Sequence, residues 1–339
     1  MGRRGIEPKL HGLGTEVEVA AGMSRMLLLF ATGLACNNVE GDHLAAAIAV
    51  EPGEDGTSSG SDDVATDGKL TEVDVGGPDI ELGPCDAVDL LFVVDNSGSM
   101  ADEQRNLVAS FPGFIAGIES TLGVDTDYHV GVITTDDSAH NGVGCRKLGA
   151  LVTRTGGAES SDAACGPYTD GRRYMTPFDR LDDSFACAAK VGIDGDGIER
   201  PMDAVGAALS PAAEGLSLCN EGYLRGGALL VLTIITDEED DIESQGDPSD
   251  WYDAVVAAKG GDASRVVVLS LVGHAKPNAC IPEQWTGADG AEIATRIIAL
   301  TEMFEHGRVG DVCSADYGTF FRDAVQSIAR ACYVVVPVG

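Results

Sequence analysis

Residues 88–94 contain Val88, Leu90, Leu91, Phe92, Val93 and Val94, an apolar run that a strand buried on both faces requires. Similar runs occupy residues 128–134, 229–235 and 265–272, and a last one falls at 333–336. Between them the period changes. Leu107, Phe111, Phe114, Ile115 and Ile118 recur at helical spacing after the first strand. Pro112 is expected to kink or interrupt that helix. Further helices are expected at residues 201–209, where Pro201 suits a helix start, at 250–258, at about 291–305 and at 316–331. Strands alternating with helices predict a mostly parallel sheet in a Rossmann-like three-layer α/β sandwich. Residues 141–198 are rich in Cys and Gly with weak periodicity. They are expected to form an insertion, with a short edge strand at 148–152.

The chain has 339 residues, with 55 Asp and Glu against 22 Lys and Arg, a formal net charge of -33. Such a surface repels phosphate backbones and anionic headgroups, so nucleic acid is excluded as a partner. Any membrane link must be hydrophobic or covalent. At 44% hydrophobic the chain is too apolar to be disordered throughout.

Residues 1–36 read as an export signal. Arg25 precedes the apolar run from Met26 to Ala35, which ends in small residues and Cys36. The run is too short to span a bilayer. Gly33, Leu34, Ala35 and Cys36 resemble a bacterial lipobox, with Cys36 as the lipidated residue; Leu is usual where Gly33 stands. Glu7, Glu16 and Glu18 fit a signal n-region poorly, so translation is expected to begin at Met23. Residues 37–84 lack apolar periodicity and are rich in Asp, Glu, Gly and Ser, which predicts a disordered acidic linker. The folded domain is then residues 85–339.

Of nine cysteines, eight lie in that domain: Cys85, Cys145, Cys165, Cys187, Cys219, Cys280, Cys313 and Cys332. None has zinc-site spacing, and with an export signal four disulfides are expected. Connectivity cannot be deduced from sequence. The working pairing is Cys145 with Cys165, Cys187 with Cys219, Cys280 with Cys313 and Cys85 with Cys332.

Ligands of open α/β sheets bind beyond the C-terminal strand ends. There the first strand runs into Asp95, Ser97 and Ser99, and Gly98 is expected to permit the tight turn. The strand at 229–235 runs into Thr236 and Asp237. Hard oxygen donors at two buried strand ends suit Mg²⁺, Mn²⁺ or Ca²⁺. An Asp-Ser cluster after a strand also serves as a simple helix cap. Residues 91–100, with Asp95, Ser97 and Ser99 spaced two apart between strand and helix, resemble the metal-site motif of von Willebrand factor A-type (vWA) domains. Asp237 resembles their second acidic position. The resemblance spans about residues 86–332 in strand order, and is to exported bacterial vWA lipoproteins with several cysteines. It implies a metal ion-dependent adhesion site, Mg²⁺ in first place, and non-enzymatic binding of a protein partner at the cell envelope, outer-membrane-anchored or at the cell surface.

One position departs from the pattern. The family's threonine ligand corresponds to Glu199, counted back from Ala208 and Leu209. Asp95, Ser97, Ser99, Glu199 and Asp237 are therefore the candidate metal ligands. A third carboxylate favours metal retention, which leaves a second reading open, an envelope scaffold with a purely structural ion. The acid also suits a first helical turn. Asp194, Asp196 and the acids at 237–241 lack EF-hand spacing and read as solvated loops. No nucleophile elbow surrounds Ser97 or Ser99, no phosphate-binding loop is present, and His129, His140, His274 and His306 are scattered. A metal-dependent hydrolase is the third reading, and a non-enzyme is expected.

Overall fold

The computed structural model describes residues 81–83, 85–212, 215–241, 243–280, 290–332 and 334–336. The expected export signal with Cys36, and nearly all of the expected linker, lie outside them. Among the described residues, seven strands and six α-helices follow one another along the chain. The strands are β1 (Glu81–Gly83), β2 (Ala87–Val94), β3 (Asp127–Thr134), β4 (Leu229–Thr236), β5 (Val266–Val272), β6 (Arg308–Asp311) and β7 (Val334–Val336). The helices are α1 (Ala101–Leu122), α2 (Leu181–Ala189), α3 (Pro201–Leu209), α4 (Pro248–Ala258), α5 (Thr295–Glu302) and α6 (Gly318–Cys332).

Five strands form one parallel sheet in the order β3-β2-β4-β5-β6. The three-layer α/β sandwich expected from the alternation is the fold observed. Strand alternation divides the core. Val88, Leu90, Phe92 and Val94 of β2 pack with the apolar faces of α1, α2 and α6, while Leu91 and Val93 pack with α3, α4 and α5. Phe92 meets Phe111 edge-on at 5.8 Å between centroids, and Phe111 stacks on Phe185 of α2 at 3.6 Å. Each such ring contributes about 1.5–3 kcal/mol by burial.

Several local expectations need correction. Helix α1 is not interrupted at Pro112. Leu107, Phe111, Phe114, Ile115 and Ile118 are all buried on both sides of it, and that packing offsets the roughly 3 kcal/mol a mid-helix proline costs. The edge strand at 148–152 does not form. Only Val152 N reaches β3, donating to Val132 O at 2.8 Å. Its neighbours bond to side chains instead: Leu151 N donates to Asn220 Oδ1 at 3.0 Å, and Leu151 O accepts from Asn141 Nδ2 at 3.0 Å. Helix α2 and strand β6 were not anticipated. Strand β7 lies outside the main sheet, pairing antiparallel with β1, so the last residues of the expected linker are ordered as a strand.

The disulfides are Cys85–Cys332, Cys280–Cys313, Cys145–Cys219 and Cys165–Cys187. The first two match the working pairing and the last two exchange partners. The insertion folds back on itself: Cys165 N bonds Thr153 O at 2.9 Å, and Ser161 Oγ bonds Cys187 O at 2.7 Å, which sets Cys165 against α2. Asn220 meanwhile holds the 149–151 turn, bringing Cys219 to Cys145. Four disulfides fit an oxidising compartment outside the cytosol. Among the described residues no helix is long and apolar enough to cross a membrane.

Candidate metal centre

The ends of β2 and β4 meet. Asp95 N donates to Ile235 O at 3.0 Å, extending the ladder one residue past β2. Thr236 Oγ1 donates to Asp95 Oδ2 at 2.6 Å, and Ser97 N donates to Asp95 Oδ1 at 2.7 Å. The Ser97 and Ser99 hydroxyls are 3.3 Å apart, and Ser99 Oγ donates to Asp237 Oδ1 at 2.9 Å. Asp95, Ser97, Ser99 and Asp237 are therefore one connected oxygen-rich cluster. Gly98 has an ordinary φ and open space where a Cβ would stand, so this turn does not depend on glycine.

Glu199 enters from the loop before α3 and is buried, 3% exposed. Thr135, just past β3, hydrogen-bonds Glu199 Oε2 through its hydroxyl, and the same hydroxyl lies 3.3 Å from Asn96 Oδ1. Arg200 N donates to Thr135 O at 2.9 Å, which fixes the loop. The second oxygen, Glu199 Oε1, is buried with no hydrogen-bond partner among the described residues. Burial raises the Glu199 carboxyl above its ordinary range, the Asp95 charge raises it further, and the Thr135 bond opposes them. Asp95 is wholly buried and is also raised, by burial first, against the bonds from Thr236 and Ser97. No Lys or Arg pairs with Asp95 or Glu199 among the described residues.

Two buried, neighbouring carboxyls, one with an orphaned oxygen, suit a divalent cation chemically. Among the described residues, no group of three or more His, Cys, Asp or Glu is placed to hold a metal unaided. A shell here would draw on the Ser97 and Ser99 hydroxyls beside the carboxylates.

Four of the five candidate ligands thus share one hydrogen-bonded cluster at the C-terminal edge of the sheet, and Glu199 is linked to it through the Thr135 hydroxyl and Asn96. The supporting residues were missed. Gln104 of α1 donates to Asp95 O at 2.9 Å and to Gly192 O at 2.8 Å, tying the insertion to the strand end. Asn96 Nδ2 donates to Asp136 Oδ1 at 3.0 Å, and Asp196 N to Asp136 Oδ2 at 2.8 Å. Thr134, Thr135 and Asp136 end β3 with the same change from apolar to polar that marks β2 and β4, a signal readable in the sequence. Asp194 and Asp240 accept backbone N–H groups, from Ala158 at 2.8 Å and from Met202 at 3.1 Å.

No family profile matches the chain, and no curated protein matches it. Among solved structures it is similar to proximal thread matrix protein 1 from the mussel byssus, at 14% identity and TM-score 0.39, over 76% of this chain and 49% of that one. It is also similar to a von Willebrand factor type A structure from Catenulispora acidiphila, at 15% identity and TM-score 0.36, over 74% and 50%. The architecture resembles the vWA type. The chain spans about half the length of each of these proteins. The likeness is partial.

Proposed function

We propose that this is an exported vWA-type domain, lipid-anchored at Cys36, that holds a divalent cation, Mg²⁺ in the first place, and binds another protein through it. The observation that carries the reading is the convergence of Asp95, Ser97, Ser99 and Asp237 on one hydrogen-bonded cluster beside the orphaned Glu199 Oε1. Asp95, Glu199 and Asp237 would supply charge, and Ser97 and Ser99 neutral oxygens. A bound divalent ion supplies a Lewis-acidic position for an oxygen of a partner. Thr236 and Thr135 orient the Asp95 and Glu199 carboxyls, and Gln104 holds the Asp95 backbone. The four disulfides support an envelope or extracellular setting.

A second reading has its own observation. Glu199 is a third buried carboxylate, which favours a retained, structural ion over an exchangeable adhesive one. Titration of the chelated full chain with Mg²⁺ and Ca²⁺ by calorimetry tests both. Saturable uptake, lost in Asp95→Ala, is expected. If neither ion binds, both readings fall. Unfolding on chelation, in place of a folded protein that has lost partner binding, favours the structural ion.

A further inference from the structure

We propose that Asp240 is the positioning residue for Glu199: it caps helix α3 from the loop that carries Asp237, and so sets where the Glu199 carboxyl stands against the other candidate ligands. The inference rests on the metal reading above and deepens it.

Helix α3 does not cap itself. Its N-cap residue, Arg200, makes no side-chain cap bond. The first N–H groups of a helix have no acceptor within it, so buried ones must find one outside. Here each has a place. Arg200 N donates to Thr135 O at 2.9 Å. Pro201, at the first helical position, has no N–H. Met202 N donates to Asp240 Oδ2 at 3.1 Å, and Asp203 N to Ser244 Oγ at 3.0 Å. Ala204 N makes the first intrahelical bond, to Arg200 O at 3.0 Å. Both outside acceptors come from the loop between β4 and α4, 38 and 41 positions along the chain. The Asp240 carboxylate also gains from the positive end of the helix dipole.

The capping loop is fixed in turn. Asp240 is 1% exposed. Its Oδ1 accepts Ser244 N at 3.0 Å, and its Oδ2 accepts Ser244 Oγ at 2.7 Å. Gln245 N returns a bond to the helix, donating to Asp203 Oδ1 at 2.9 Å. The Arg296 guanidinium bonds the carbonyls of Asp240, Asp241 and Gly246, and sits 4.4 Å from the centroid of the Trp251 ring on α4. Glu199 lies three residues before Met202, and Asp237 three before Asp240. The Asp240–Met202 bond therefore joins the two ligand-bearing loops just behind their ligands. Thr135 holds the Glu199 loop to the end of β3, and Asp240 holds it to the end of β4. Loss of the second attachment lets the first turn of α3, and Glu199 with it, move relative to Asp237.

The test joins Mg²⁺ calorimetry on the full chain, with circular dichroism to check the fold, to hydrogen exchange of the metal-free protein. Asp240→Ala is expected to weaken Mg²⁺ binding about tenfold or more. Asp240→Asn removes the same charge but keeps an acceptor for Met202 N, and is expected to stay within about threefold of wild type. In a Glu199→Ala background, Asp240→Ala should cost less than about twofold further, because it acts through Glu199. Ser244→Ala, a milder change that removes the Asp203 cap, takes its place if Asp240→Ala does not fold, and should show the same dependence on Glu199. In the metal-free protein, Asp240→Ala should speed exchange of the Arg200 amide about tenfold or more, although its own acceptor on Thr135 is untouched, while the amides of β2 stay slow. The proposal is overturned if folded Asp240→Ala binds Mg²⁺ as the wild type does, if Asp240→Asn loses as much as Asp240→Ala, if the loss is the same without Glu199, or if the Arg200 amide exchanges no faster. A wild type that takes up no Mg²⁺ fells the metal reading instead, and the Arg200 exchange rate then decides by itself whether Asp240 holds the Glu199 loop.

Discussion

Ser99 and Asp237, 138 positions apart in the chain, share a hydrogen bond of 2.9 Å from the serine hydroxyl to Asp237 Oδ1. It joins the loop after β2 to the end of β4, and both atoms are oxygens of the kind Mg²⁺ takes. Asp237→Ala removes one carboxylate and leaves the Ser99 hydroxyl to seek another acceptor. Mg²⁺ affinity measured by calorimetry is expected to fall about 100-fold or more, with the circular dichroism of the fold unchanged. An affinity within a factor of about two of wild type rejects Asp237 as a ligand.

Glu199 is buried, and its Oε1 has no hydrogen-bond partner among the described residues. Glu199→Thr keeps an oxygen donor and removes the anion. Mg²⁺ affinity is expected to drop at least about tenfold. Unchanged affinity would sink Glu199 as a ligand. Thr135→Val should give a smaller loss in the same direction, because it keeps the Glu199 carboxylate and removes the hydroxyl that bonds Glu199 Oε2 and Asn96 Oδ1.

Glu103, in the first turn of α1, makes stability depend on pH. Burial pushes its carboxyl up to about 8, and the charges of Asp102 and Asp237 add to this. Its Oε2 has no partner among the described residues. The disulfide sulfur of Cys280, 3.8 Å from Oε1, carries no proton to offer. Between about 4.5 and about 8 the folded state holds a proton that the unfolded chain has released. The stability this proton supports is complete below about 4.5 and is lost as pH rises through about 8. Asp95 and Glu199 act in the same direction in the metal-free protein. Thermal unfolding in chelator should therefore show a midpoint that declines from about pH 5 to about pH 8. Glu103→Gln should flatten the decline and gain roughly 2–4 kcal/mol at its alkaline end. Added Mg²⁺ should raise the midpoint more at higher pH, since its ligands bind deprotonated. A midpoint that rises with pH in chelator contradicts this account.

What could be read from the chain follows the strength of local periodicity. Helix α3 has the predicted bounds, and β2 through β5 lie within one residue of theirs, because fully buried strands carry uninterrupted apolar runs. Strand β6, Arg308–Asp311, has no such run and forms because β5 offers it an edge. The 148–152 segment has an apolar strand pattern but lies where Asn141, Asn220 and Arg173 claim its backbone groups, a long-range effect no local window contains. Asp95, Ser97, Ser99 and Asp237 were legible because spacing and strand ends place them together. Thr135 and Gln104 were not, since their roles depend on which loop each strand end faces. The Cys145 and Cys165 partners depend on the same folding back of the insertion.

Asp89 offers a prediction that separates stability from metal binding. It lies on β2 six residues before Asp95, about 20 Å away along the strand. Its side chain is fully buried. It accepts Arg225 N and Arg225 Nε, each at 2.8 Å, with Lys259 Nζ at 3.8 Å and His129 Nδ1 at 3.8 Å. The Lys259 ammonium is itself buried and donates to Arg225 O at 2.7 Å, and Asp127 Oδ2 accepts Arg225 Nη1 at 2.6 Å, so Asp89 is the carboxylate that faces Lys259. Asp89→Ala leaves Lys259 and part of Arg225 without a counter-charge. Urea unfolding is expected to show a loss of roughly 3–5 kcal/mol, while the folded fraction keeps its Mg²⁺ affinity. Adding Lys259→Met to Asp89→Ala should recover part of that loss, because the stranded ammonium is removed with the charge that held it. A double variant no more stable than Asp89→Ala alone would show that the cost lies in the lost Arg225 bonds and not in the unpaired lysine.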